Sequence, residues 1–219
     1  DPVPSFVVPA IETTGFEDSS AEANALRLDH LARIDSSTEE VIASLGAFIN
    51  AFGVWVAGER ARVRSFGTDA QLADRIVGRS ETALRRMRET VALLAEDGQA
   101  NLRLAFALGM TAMRLQMRQA AINRDGDESE PEWRPFRLGF LLVALASTIE
   151  ESHSDRELVD LIWFPTGGGK TEAYLGLAAI EIFRRRIVHG HAGGGTAVLT
   201  RYTLRLLTSQ QFQRAASLV

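Results

Sequence analysis

Between Ala21 and Asn123 apolar side chains recur at spacings of three and four, the period of a helix with one buried face. Leu72, Ile76, Leu84, Met87, Val91 and Leu94 fall on one side of a predicted helix that Asp97-Gly98 breaks, and Leu102, Phe106, Met110, Met113 and Met117 answer on the next. Two amphipathic helices around a tight Asp-Gly turn predict an antiparallel hairpin with the methionine stripe in its core. Ser36 with Glu39 and Thr68 with Gln71 have the spacing of capping boxes, the first opening a helix through Val41 to about Arg64. Val41 to Gly58 carries no charge and reaches the ~18-residue threshold for a membrane span. Ser44, Asn50 and three glycines dilute it, which favours a buried or partner-facing helix.

The period changes further on. Leu158 to Phe164 is a short apolar run with branched and aromatic side chains, the pattern of a strand buried on both faces of a parallel sheet, and Thr196 to Thr200 predicts a second strand. Residues 1–20 hold three prolines and read as an extended arm, 21–123 as a helical domain and 124–132 as an acidic linker. Residues 133–219 then read as the first part of an α/β domain.

Between the first predicted strand and the helix that opens at Lys170 stands P-T-G-G-G-K-T. Close approach to a polyphosphate excludes Cβ atoms, so Gly167, Gly168 and Gly169 with Thr166 suit a backbone cradle, aided by the positive end of the helix. Lys170 would supply a point charge for the β- and γ-phosphates of ATP and Thr171 a hydroxyl for Mg²⁺. Lys170 is the only lysine among 24 basic side chains, as expected where a compact ammonium is needed and a planar guanidinium fits poorly. Phe164 stands where the strict phosphate-loop pattern has its first glycine.

P-T-G-G-G-K-T resembles motif I of superfamily 2 helicases. The whole stretch L-I-W-F-P-T-G-G-G-K-T-E-A-Y-L-G-L followed by V-L-T-R-Y-T-L-R-L-L-T-S-Q-Q-F looks like the helicase-like subunit, DrmA, of the bacterial DISARM anti-phage system. That resemblance covers Trp133 to Phe212. It implies a RecA-like P-loop ATPase domain, ATP and Mg²⁺ as cofactors, a DNA substrate and a DrmB-like partner subunit. Lys170 and Thr171 would be catalytic. W-R-P-F-R resembles the element in which a glutamine reads adenine, with Arg137 in the glutamine's place; a guanidinium can donate to adenine but cannot accept from it. Arg201, Thr203 and Arg205 resemble the nucleic-acid contacts of motif Ia. The acidic motif of such motors does not follow within these residues, so the chain is expected to be the N-terminal portion of a longer, cytoplasmic helicase or translocase without membrane contact. Two other readings stay open: a P-loop ATPase switch that does not translocate, and a helical scaffold for a partner subunit.

Composition narrows this little. The absence of cysteine excludes a disulfide framework and a thiolate metal site, and His189 and His191 lack acidic companions for a metal. The net charge of −4 divides into +4 from Leu158 onward and −8 before it. Arg184, Arg185 and Arg186 fit a polyanion or the C-terminal end of a helix equally well, while the arginines from Arg85 to Arg118 read mainly as solvated faces.

Overall fold

The computed structural model of the chain describes residues 15–126, 128–162, 170–201, 212–213 and 215–216. Among them are seven α-helices: α1 (Ala21–Leu26), α2 (Leu28–Leu31), α3 (Thr38–Arg62), α4 (Ala70–Ala95), α5 (Ala100–Asp125), α6 (Pro135–Ile149) and α7 (Lys170–His189). Ser20 caps α1 by accepting from the Ala23 amide at 3.1 Å. The capping box proposed for α3 is not made: the Ser36 hydroxyl donates to the Arg33 carbonyl and Thr38 to that of Ile34. Pro135 begins α6, where its missing N–H costs nothing.

The antiparallel hairpin forms one turn earlier than the sequence suggests. Gly67, at φ 55°, lets the chain reverse between α3 and α4, and the pair is stapled where Arg60 forks to Glu81 and also pairs with Asp74. The helices on either side of Asp97-Gly98 instead find their main partners elsewhere, α4 between α3 and α6, and α5 on α7 and α2. Leu72 and Ile76 accordingly lie exposed, whereas Leu84, Met87, Val91 and Leu94 are buried. Met110 and Met113 are fully buried, as expected of core methionines.

A single hydrophobic core runs from Leu28 and Leu31 through Phe106 and Met110 to Leu141 and Ile180, so residues on both sides of the acidic 124–132 stretch share it. Trp133 is its anchor. Its amide donates to the Leu26 carbonyl at 2.7 Å and its indole N–H to the Met110 sulfur at 3.4 Å. Two glycines set how closely α7 approaches: a Cβ on Gly109 would sit 2.6 Å from Ile180 Cγ1, and one on Gly176 would sit 3.2 Å from the Trp133 ring.

The RecA-like parallel sheet expected from residue 133 onward is not present; no sheet occurs among the described residues. Residues 158–162 adopt no regular secondary structure and join no sheet, leaving Val159 94% and Leu161 81% exposed, and Leu199 in the second predicted strand is 91% exposed. An apolar run becomes a buried strand only when neighbours accept its backbone hydrogen bonds and cover both faces. Here α7 buries Ala173, Leu175, Ala179 and Ile180 within a helical assembly on α5 and α6, the surface that a sheet would have to take.

Candidate functional site

The predicted site residues come together only in part. Lys170 and Thr171 open α7, and α6 brings Arg137 alongside, its guanidinium 3.6 Å from the Glu172 carboxylate and 5.9 Å from the centre of the Phe136 ring. Thr171 Oγ1 accepts from the Tyr174 hydroxyl at 3.2 Å. Thr166, Gly167, Gly168 and Gly169 lie outside the described residues, as do Thr203 and Arg205; Arg201 is exposed.

The helicase, ATPase, Walker A and P-loop readings fail on the surroundings of this segment. A phosphate loop holds its amides toward a ligand because a paired strand fixes one end and a helix the other. Residues 158–162, the described part of the run before Lys170, have no ladder, and Asp160 among them is bound instead to Arg86 of α4, at 2.5 and 2.9 Å. Among the described residues no three His, Asp or Glu side chains cluster to hold a metal.

Of the arginines between 85 and 118 only Arg86 is buried; the others stay at least partly exposed, though several have partners within the chain. Arg86 is 5% exposed and also donates to Ser147, while Arg85 reaches Asp155 and Glu89. Arg103 donates to the carbonyls of Leu94 and Glu96, ending α4, and Arg114 pairs with Glu130. Of the three arginines at the end of α7, Arg184 pairs with Glu181 and Arg185 donates to the carbonyls of Gly194 and Thr196. Of the basic side chains from Leu158 onward, Arg184 and Arg185 are thus engaged by a carboxylate and carbonyls of the chain itself, while Arg186 and Arg201 are exposed.

A buried polar cluster that sequence alone did not single out joins α2 to α3. Ser44 donates to the Val41 carbonyl at 2.8 Å, so it accepts from His30 Nε2 at 2.9 Å, and Glu40 lies 3.7 Å from His30 Nδ1. The order Glu-His-Ser resembles a hydrolase triad, but Ser44 is 3% exposed and its proton is engaged by a carbonyl, leaving no path for a substrate. Burial holds the His30 pKa below its ordinary value, against the opposing pull of Glu40.

An apolar groove lies between α3, α4 and α6. It is an open groove of about 770 Å³ lined by apolar side chains, among them Phe48, Phe52, Val54 and Trp55 from α3, Ala83 and Met87 from α4, and Phe136 and Phe140 from α6. Phe52 and Trp55 stack at 5.6 Å, and Trp55 and Val54 stay 53% and 75% exposed. The signal for it in the sequence was the uncharged run of α3. An 18-residue stretch within residues 38–95 reaches a mean hydropathy of 1.8 and is 33% buried, long and apolar enough for a span by length and composition alone.

Comparison with known proteins adds one relationship. The chain is similar to DISARM protein DrmA. Identity to the DrmA of Bacillus paralicheniformis is 36% over 163 residues, 68% of this chain. The matched part is only 15% of that DrmA, so the chain corresponds to a minor share of its curated relative's length. No protein-family model matches the chain, and no solved structure does.

Proposed function

We propose that the chain is a non-catalytic helical scaffold that docks a second protein subunit, the DrmB-like subunit implied by its likeness to DrmA, within an anti-phage defence assembly. The observation that carries this is the apolar groove on α3, where the uncharged run 41–58 leaves Val54 and Trp55 exposed and Phe52 half-buried beside the half-buried Phe136 and Phe140 of α6. A soluble chain rarely leaves contiguous aromatic surface open without an occupant, and stacked aromatics of this kind anchor protein interfaces.

Co-expression with the DrmB-like subunit tests it. Phe52→Asp places a charge at the centre of the groove and is expected to lower the affinity at least 30-fold, about 2 kcal/mol. Leu115→Asp, on the exposed side of α5, should leave affinity unchanged. Equal binding by wild type and Phe52→Asp refutes the docking site.

A further inference from the structure

Within α4, Leu72, Ile76, Ala83 and Met87 are spaced by four, seven and four residues, so they share one face of the helix. Ala83 and Met87 line the apolar groove, and Leu72 and Ile76 lie exposed beyond it, toward the turn that joins α3 to α4. The apolar track is therefore longer than the groove. From Met87 to Leu72 it runs about 22 Å, the length of a helix of about 15 residues.

Backbone chemistry selects the kind of occupant. The helical walls α3, α4 and α6 bond their amides and carbonyls internally, so they offer nothing to the backbone of a strand. A helix satisfies its own backbone and presents apolar side chains at spacings of three and four, the arrangement by which apolar grooves receive amphipathic helices. A bilayer would meet protruding side chains, whereas Met87 is buried at the bottom of a recess.

Charge selects the occupant's chemistry. Along the hairpin the carboxylates of Glu59, Asp74 and Glu81 are taken up by Arg62 and Arg60. Arg64, Arg75, Arg79 and Arg88 pair with no carboxylate among the described residues, and Asp69 is the one carboxylate of residues 59–88 left without a cation there. Arg75 and Arg79 each stand three residues on from a track residue, Leu72 and Ile76, so they border the exposed stripe one turn apart.

We propose that the groove and the α4 stripe beyond it receive one amphipathic helix of the partner subunit, about four turns long, with acidic side chains flanking its apolar face. The inference rests on the docking reading above and adds the secondary structure, length and charge of the element that docks.

Two labelled peptides of about 16 residues serve as probes, each with leucines along one helical face, one with glutamates beside them and the other with lysines. By fluorescence anisotropy the acidic peptide should bind the chain at least about tenfold more tightly than the basic one, and the gap should close as salt is raised. Ile76→Asp, and Arg75→Glu combined with Arg79→Glu, alter only exposed side chains. The first should weaken binding of the acidic peptide about tenfold, and the second should reverse the preference between the peptides. Equal affinity for both peptides, or an acidic peptide indifferent to Ile76→Asp, overturns the assignment. So does tighter binding to vesicles of anionic phospholipid that Ile76→Asp abolishes, which makes the stripe a lipid-facing surface. The docking reading fails by a different result, an affinity for the DrmB-like subunit that Phe52→Asp leaves unchanged. A subunit released by Phe52→Asp but held fully by Ile76→Asp keeps the groove as the docking site and overturns the extended helix track.

Discussion

Replacing Arg86 tests whether the charges that sequence assigns to solvated faces hold the tertiary structure together. Arg86 forks to Asp160 at 2.5 and 2.9 Å, donates to Ser147 Oγ at 3.2 Å and lies 3.5 Å from Asp155. Arg86→Ala removes three charged hydrogen bonds, each worth about 1.5–3 kcal/mol in a buried setting, and leaves Asp160 without its cation, while Asp155 keeps its bond from Arg85 at 2.8 Å. Asp160 is 30% exposed along its side chain and Asp155 13%, so water recovers part of the loss at the first of them. The net cost should fall near the low end of the range for breaking a buried pair, about 3 kcal/mol. For a chain of this length that is a fall in Tm of about 6–12 °C. Urea unfolding of Arg86→Met, Asp160→Asn and the double variant then isolates the pair, with an expected coupling of about 1–3 kcal/mol. A loss below about 1 kcal/mol in Arg86→Ala, or strict additivity in the cycle, refutes the claim that this contact fastens residues 155–160 to α4.

Gly109→Ala should destabilise by about 1–3 kcal/mol, because the new methyl meets Ile180 Cγ1 at 2.6 Å; Ile180→Ala should restore only part, since the Ile180 backbone nitrogen stays 3.2 Å away. His30 makes stability depend on pH. Its pKa is lowered in the fold from 6.5, chiefly by burial, so the unfolded chain binds the proton more readily. Stability is full above pH 6.5 and falls as pH drops through the lower folded value, with Glu40, Asp29, Arg33 and Arg27 as the charged groups facing the ring. Chemical denaturation from pH 7.5 to 5 should show that slope, and His30→Gln should flatten it; an unchanged slope assigns the dependence to other groups.

Helices were legible from residue 21 to 123 because the spacing of Leu84, Met87, Val91 and Leu94 encodes a buried stripe in the chain itself, and the methionines at 110 and 113 read correctly as core for the same reason. Periodicity is local, so it could not say which helix each stripe would meet; that depended on the reversal at Gly67 and on the close approaches at Gly109 and Gly176, which are properties of facing surfaces. The runs at 158–164 and 196–200 show the limit most clearly. Their side chains suit a strand, yet a strand is made by its neighbours, and in this structure the described parts of both stay exposed while helices cover α7. Charge behaved likewise: an arginine count is fixed by composition, but whether Arg86 faces solvent, a phosphate or Asp160 is decided by which carboxylate the fold carries to it. The uncharged run of α3 lies between these cases, for its apolarity marked it as a surface to be covered and only the arrangement of α4 and α6 turned that surface into a groove.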